Sequence, residues 1–185
     1  DGSVNTIEWR NYKLHHDEFI CHFANDAEGW TGKNGWEYAP LRIGRDGNTG
    51  CMSISLINQS ANGFLISPRK LNIYPESRLR FYVKIHLNTA DSYMEAYSGI
   101  NVVYSKQDDP TTFETIKTVE FLNTAWTMVE VDLRSIASTT ADVDAEEAWI
   151  AIQCEMSNSN ADAILVDDIE FAYVYTLGEG NDEQF

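Results

Sequence analysis

The sequence predicts an all-β fold, a two-sheet antiparallel β-sandwich of jelly-roll type. Three observations predict it. Apolar and polar residues alternate with a period of two in short segments, and clusters of Gly, Asn, Asp, Ser and Pro separate those segments. The segments number about ten, which fits a jelly roll better than a seven-stranded immunoglobulin sandwich.

The clearest strand runs from Ser77 to Leu87, where the apolar residues share one face and the polar residues share the other. A sheet with one face in the core and one in water has this pattern. The residues predicted to lie in one core are Leu79, Phe81, Val83, Ile85, Leu87, Val129, Val131, Leu133, Ile150, Ile152, Cys154 and Met156.

Further strands are predicted at Phe19 to Phe23, Trp36 to Ile43, Cys51 to Leu56, Phe64 to Ser67, Ile100 to Ser105 and Phe113 to Phe121. The polar segment from Ser135 to Glu147 is predicted to be a loop with at most one short helical turn.

Chain length predicts one domain that buries roughly 70% of its unfolded surface. We expect an N-terminal extension over 1–17, the sandwich over 18–176 and a flexible acidic tail over 177–185. The first residues lack the basic start and apolar middle of a signal peptide, which predicts a soluble chain or a form that has already been trimmed.

The charge balance limits the partners. With 29 acidic against 13 basic residues, the formal net charge is -16. Such a surface repels phosphate backbones and anionic headgroups, so we expect no nucleic acid partner and no binding to membrane surfaces. No apolar run approaches the roughly 20 residues that span a bilayer, so direct membrane insertion is not expected either. Neutral sugars, cations and basic protein patches remain, and the chain is predicted to be a monomer.

The sequence contains neither a CxxC cysteine pair nor a known catalytic motif, so it gives no sign of an enzyme. Cys21, Cys51 and Cys154 lack CxxC spacing, and two interpretations stay open: three buried small side chains, or one disulfide and a leftover thiol. The sequence contains no GxSxG, HExxH or phosphate-binding glycine loop. We therefore predict a protein without catalytic residues.

The order of several short motifs resembles the cleaved-adhesin, or choice-of-anchor J, family of galactose-binding-like jelly rolls. The resemblance extends from Phe19 to Val174. The matching pieces, in order, are Phe23-Ala24, Gly29-Trp30, Leu65-Ile66-Ser67-Pro68, Val103-Tyr104-Ser105, Phe113 to Ile116, Trp126 with Val131-Asp132-Leu133, and Leu165 to Ile169.

This resemblance implies secretion or surface display, and binding or adhesion instead of catalysis. It also implies one structural calcium ion, held by a carboxylate near the end of the first strand and an aspartate entering the last. Ala24 stands where that first acid is expected, so Asp26 or Glu28 would have to replace it. Asp167 and Asp168 are the candidates from the last strand.

Residue parity in the last strand separates the two aspartates. Alternation places Asp167 on one face with Leu165, Ile169 and Phe171, and places Asp168 on the other face, toward solvent. A buried carboxylate without partners costs several kcal/mol. Two alternatives remain for Asp167: it binds calcium together with backbone carbonyls, or it accepts hydrogen bonds from the amides of a covering loop.

For function, two classes stay open. The first is a carbohydrate-binding or adhesive module, because sugar sites combine flat aromatic rings with polar side chains. The second is a structural or protein-interaction domain accessory to a larger surface assembly, so the partner is a glycan or a surface protein. The candidate ligand-binding residues are Trp36, Tyr38, Arg42, Tyr93 and Tyr97, whereas Trp30, Trp126 and Trp149 are predicted to serve packing.

Overall fold

The computed structural model describes residues 18–55, 63–87, 99–137, 146–154 and 161–173. Within these ranges it contains twelve strands and a short 3-10 turn at Arg134–Ile136. The strands are β1 (Phe19–Cys21), β2 (Thr31–Lys33), β3 (Trp36–Ile43), β4 (Thr49–Ser55), β5 (Gly63–Ile66), β6 (Leu71–Ile73), β7 (Ser77–Leu87), β8 (Ile100–Ser105), β9 (Glu114–Val119), β10 (Thr127–Asp132), β11 (Glu146–Cys154) and β12 (Ala161–Tyr173). The predicted extension over 1–17 and tail over 177–185 lie outside the described residues, so those boundaries stay predictions.

These strands form two six-stranded sheets. Sheet A has the order β10-β7-β12-β4-β3, with β1 also pairing to β12. Sheet B has the order β2-β5-β11-β8-β9, with β6 also pairing to β11. The strand pairs are antiparallel. The predicted jelly-roll sandwich is therefore confirmed.

The core lies between the two sheets and contains the predicted residues. Val129 pairs with Phe81 and Val131 with Leu79 across β10 and β7, so each pair contributes two side chains to the same face. Ile150 and Ile152 of β11 meet them from sheet B. The described residues of the predicted set are buried in this one cluster, except Leu87, which is partly buried against it at the end of β7. Met156 lies outside the described ranges.

Two strands were not predicted. β2 and β6 have three residues each, and β2 is exposed throughout, so neither is long enough to show an alternating pattern. β4 and β11 also begin earlier than predicted, at Thr49 and Glu146. The helical turn expected near Ser135 is present at Arg134–Ile136.

The three cysteines are free and buried, which confirms that they act as small apolar side chains. Cys21 and Cys154 belong to the main core, and Cys51 lies in a second cluster on the outer side of sheet A. No helix in the described part of the chain is long and apolar enough to cross a membrane.

A β-bulge in β12 changes which face each residue occupies. Asp167 pairs with Tyr82 and Glu170 with Arg80, so β12 has one more residue than β7 between these pairs. Before the bulge Ile164 and Val166 face the core, and after it Ile169 and Phe171 do. The predicted parity is wrong, since Asp167 shares the outer side of sheet A with Leu165 and not a face with Ile169 or Phe171.

We predict that Phe81→Ala destabilises the protein by about 3 to 5 kcal/mol, because a fully buried ring leaves a cavity that the two sheets cannot close. Urea unfolding measures the loss. Phe121→Ala is the matched control, because Phe121 is 65% exposed, and we expect it to change stability by less than about 1 kcal/mol. Equal losses for the two variants would contradict the assigned core.

Candidate functional site

Asp167 is buried at the bulge, beneath the loop that joins β3 to β4. Asp167 is 2% exposed. Its Oδ2 accepts a hydrogen bond from the backbone N–H of Arg45 at 2.7 Å, and its Oδ1 accepts one from the N–H of Asp168, also at 2.7 Å. Burial raises the pKa of the carboxyl to about 6, although both hydrogen bonds lower it. The loop-amide alternative is therefore the arrangement observed.

Asp168 is also buried, at 7% exposure, which corrects the expectation that it faces solvent. The physical reason is the bulge: Asp168 adopts a φ of 48°, and the strand no longer alternates through it. Its Oδ1 lies 2.6 Å from Nδ1 of His22, and its Oδ2 accepts a hydrogen bond from Nε of Arg45. The hydrogen bond with Asp168 raises the pKa of His22. The hydrogen bond between Arg45 and Asp168 likewise raises the pKa of the Arg45 guanidinium.

The β3–β4 loop is shaped to reach the two aspartates. Gly44 N–H donates to the carbonyl of Asn48 at 2.7 Å, and Oδ1 of Asp46 accepts from the N–H of Asn48 at 2.9 Å. A Cβ at Gly44 would lie 2.5 Å from Oδ2 of Asp167, so only glycine allows this approach. The guanidinium of Arg45 also lies over the ring of Tyr82, 4.2 Å from its centroid. We call Asp167, Asp168, Arg45 and His22 the aspartate brace.

The two other predicted metal ligands have different roles in this structure. Oε2 of Glu28 accepts a hydrogen bond from the backbone N–H of Phe23 at 2.5 Å. Oδ1 of Asp26 accepts one from the N–H of Glu28 at 2.7 Å. Both acids thus close the turn between β1 and β2, where Phe23 and Glu28 have φ values of 50° and 47°.

As they are arranged, these residues do not fit a calcium ion. Calcium takes six to eight oxygen ligands, whereas the four carboxylate oxygens of Asp167 and Asp168 already contact N–H groups or His22. No group of three or more His, Cys, Asp or Glu side chains within the described ranges is close enough to hold a metal ion.

Of the predicted sugar-binding residues the structure describes Trp36, Tyr38 and Arg42, and these three do not form an exposed platform. Trp36 is 4% exposed and packs in the main core, so its ring is unavailable to a ligand, which corrects that prediction. Trp36 is buried because its side chain lies on the inward face of β3. Tyr38 is partly buried against the same core, and Arg42 lies in an irregular part of the edge strand β3. Tyr93 and Tyr97 lie outside the described residues.

An aromatic cluster that sequence analysis missed lies on the outer face of sheet B. Its members are Phe64, Phe113 and Trp149, and we call it the aromatic cluster. The three partly buried rings pack on a buried apolar floor of Ile66, Val103 and Ala151. Phe64 and Phe113 stack with centroids 4.9 Å apart. One feature of the sequence could have identified this cluster. In the alternating pattern of β11, Trp149 falls on the face opposite to the core residues Ile150 and Ile152.

A polar row crosses the same outer face beside the cluster. Gln153 pairs with Phe64 on one side and Asn101 on the other, and Asn101 pairs with Thr118. Oγ1 of Thr118 donates to Oδ1 of Asn101 at 2.7 Å. The register therefore places amide and hydroxyl groups next to aromatic rings, which is the combination that sugars require.

The loop before β9 delivers Phe113 to this face. Oε1 of Gln107 accepts hydrogen bonds from the backbone N–H groups of Thr111 and Thr112 at 3.0 and 3.3 Å. Nζ of Lys70 donates to Oδ1 of Asp108 at 2.8 Å and so attaches the loop to the body. These contacts position Phe113 over Phe64 before any ligand arrives.

Two other surfaces offer less to a sugar. A cavity of about 470 Å³ between β7, β9 and β10 is lined by Arg78, Ile116, Lys117, Glu130, Val131 and Asp132, a set without an aromatic ring. On the outer face of sheet A, Trp126 is partly buried against Leu165, with the ammonium of Lys84 5.6 Å from its ring centroid. Trp126 and Trp149 thus lie on outer faces, whereas Trp30 is in the core as predicted.

We predict that Asp167→Asn destabilises the protein by about 1 to 3 kcal/mol, because the new amide nitrogen cannot accept a hydrogen bond and leaves one backbone N–H without a partner. Urea unfolding at neutral pH measures the change. The control, Asp109→Asn in an exposed loop, should stay within about 0.5 kcal/mol of the parent. A neutral Asp167→Asn would mean that the loop amides do not depend on this carboxylate.

His22 should add stability only at low pH. Its pKa lies above 6.5 in the folded protein because of Asp168, so its contribution is complete below that pH and is lost as the pH rises through the folded pKa. The Tm difference between the parent and His22→Gln should therefore be largest near about pH 5.5 and shrink toward about pH 8.5. A difference that is independent of pH would show that the imidazole charge is not used.

Comparison with known proteins finds similarity in structure only. No protein-family model matches the sequence, and no curated protein matches it. The K1 cleaved adhesin domain of Lys-gingipain from Porphyromonas gingivalis superposes with a TM-score of 0.64 at 17% identity, covering 86% of this chain and 99% of that one.

Two carbohydrate-binding modules are also similar. The C-terminal family 22 module of Clostridium thermocellum Xyn10B has a TM-score of 0.53 at 12% identity and covers 86% of this chain and 95% of its own. TmCBM61, solved with β-1,4-galactotriose, has a TM-score of 0.52 at 13% identity and covers 80% and 91%. This chain therefore has the jelly-roll fold shared by cleaved adhesin domains and carbohydrate-binding modules.

Proposed function

We propose that this chain is a non-catalytic carbohydrate-binding or adhesive module that acts outside the cell, either secreted or at the cell surface, as a monomer. The observation that carries the proposal is the aromatic cluster on the outer face of sheet B, next to the polar row of Asn101, Thr118 and Gln153. No other surface described above combines stacked aromatic rings with neighbouring amide and hydroxyl groups.

The chemistry of the cluster suits a neutral sugar. The apolar face of a pyranose ring can lie against Trp149 or the Phe pair, while the Gln153 amide and the Thr118 hydroxyl orient the sugar hydroxyls. Asn101 is 5% exposed and supports the row by accepting the hydrogen bond of Thr118. Because the chain has a net charge of -16, a neutral glycan avoids the repulsion that an anionic ligand would meet.

The structural neighbours support this proposal without assigning a ligand. One group consists of cleaved adhesin domains. The other consists of carbohydrate-binding modules, among them a family 22 module that binds ligand in a cleft and TmCBM61 in complex with β-1,4-galactotriose. Adhesion and glycan recognition thus occur on the fold that this chain adopts. At identities of 11 to 18% the ligand itself does not carry over.

A second candidate function is a structural or protein-interaction domain accessory to a larger surface assembly. The edge strand β3 favours it, since Leu41 is 90% exposed and Ile43 is 62% exposed. Pro40 in the same strand removes one backbone donor from the free edge. Exposed apolar side chains on an edge suit contact with another protein.

A glycan array, run with calcium and with chelator, tests the proposal. We expect retention of a neutral glycan, and we expect Trp149→Ala to weaken its binding about tenfold, the effect of losing roughly 1.4 kcal/mol of aromatic contact. Trp126→Ala is the matched control, because it removes the same side chain from the outer face of sheet A, and it should leave binding unchanged.

Two outcomes would contradict the proposal in different ways. Loss of glycan binding in Trp126→Ala but not in Trp149→Ala would move the site to sheet A. Absence of any retained glycan, together with capture of a surface protein that Leu41→Ser abolishes, would favour the protein-interaction alternative.

A further inference from the structure

We infer that Arg45 and His22 take the place in which the family resemblance puts a calcium ion, so that this protein holds its last strand and its β3–β4 loop together without a divalent cation. The inference concerns stability and does not depend on glycan binding. It rests on the geometry of the aspartate brace.

Arg45 satisfies both aspartates at once. Its backbone N–H donates to Oδ2 of Asp167 at 2.7 Å, and its side-chain Nε donates to Oδ2 of Asp168. His22 contacts the remaining oxygen of Asp168 at 2.6 Å. One residue of the loop therefore bridges two adjacent carboxylates, which is the structural task of a bound cation.

An arginine can do this at low desolvation cost. The side chain of Arg45 remains 40% exposed, whereas that of Asp168 is 8% exposed. The guanidinium thus keeps part of its hydration while it compensates a buried charge, and the ring of Tyr82 covers one of its faces at 4.2 Å. The buried carboxylate gains a partner without burying a second full charge.

The acids that would complete a calcium site are held elsewhere. Glu28 accepts the N–H of Phe23 at 2.5 Å, and Asp26 accepts the N–H of Glu28 at 2.7 Å. At the position next to Phe23, where the resemblance expects an acid, the chain has Ala24. The carboxylate expected at position 24 is therefore missing, and the four carboxylate oxygens of Asp167 and Asp168 already have partners.

The backbone of Gly44 also lies close to Asp167. A single added carbon at Gly44 would lie 2.5 Å from Oδ2 of Asp167 and 2.7 Å from the carbonyl oxygen of Gly50. Calcium binds oxygen at 2.3 to 2.6 Å and needs six to eight such contacts. To enter, the ion would have to displace the N–H of Arg45 and the guanidinium, and so break the contacts that hold the loop.

The brace connects three elements that are distant in sequence. His22 follows β1, Arg45 lies between β3 and β4, and the aspartates interrupt β12. β1 and β4 pair with β12 on either side of the bulge. Arg45 and His22 therefore secure the position at which β12 changes partner.

The test measures thermal unfolding of the full chain in EDTA, in CaCl₂ and in MgCl₂. A calcium ion at one hundred times its dissociation constant would raise the Tm by roughly 5 to 10 °C for a chain of this size. We expect the parent to show the same Tm in all three solutions, and titration of chelator-treated protein with CaCl₂ to release no binding heat. This part needs no variant and so does not depend on whether a variant folds.

The second part uses arginine variants. Arg45→Met should lower the Tm by roughly 5 °C or more, because it leaves a buried carboxylate without its partner. Arg45→Lys should recover part of that loss through its charge. Arg134→Met, at an exposed arginine, is the matched control and should leave the Tm within about 1 °C of the parent.

Either of two results would overturn the inference. One is a parent whose Tm falls in EDTA and is restored by CaCl₂. The other is an Arg45→Met variant that is as stable as Arg134→Met.

Discussion

The structure depends on how β12 pairs with its neighbours. Along one edge it pairs with β7, and along the other edge it pairs with β4 and then with β1. Residues 163–166 pair with β4, and residues 169–171 pair with β1. In a regular strand Ile164 and Val166 would lie on the face opposite to Ile169 and Phe171, and the bulge at Asp168 brings all four to the core side. The bulge interrupts the backbone hydrogen bonds between the strands and leaves backbone polar groups that need other partners nearby. The two aspartates lie at this point for that reason.

The outer faces of the two sheets carry different side chains. On sheet A the outer face is charged: Arg80 pairs with Glu130 at 2.5 Å and Arg78 with Asp132 at 3.2 Å. On sheet B it carries the aromatic cluster over an apolar floor. The proposed glycan site therefore lies on sheet B, on the face opposite to the core, whereas these two ion pairs lie on sheet A. The aspartate brace belongs to sheet A, so it and the proposed glycan site lie on different sheets.

Much of the fold could be predicted from the sequence, but the candidate site could not. Strands such as Ser77–Leu87 repeat their pattern over many residues, so each position supports the others. The site residues lack this support. Trp36 and Trp149 are both tryptophans in strands, yet one is buried in the core and the other lies on an outer face, and only the phase of each strand relative to its neighbours distinguishes them. Phe113 reaches the cluster from a loop whose path depends on hydrogen bonds of Gln107.

The sequence by itself determined the all-β class and the core positions of β7, β10 and β11, because these follow from local alternation. It also predicted that Asp167 is buried, but on the wrong face of β12, and it left the cysteines open between burial and one disulfide. Only the tertiary structure decided that Asp168 is buried too, that Arg45 and His22 neutralise it, and that Phe64, Phe113 and Trp149 meet. Those outcomes need residues from separate strands and loops to be brought together. A bulge of one residue reverses every face that follows it, and alternation along a single strand carries no information about where the neighbouring strands require that bulge.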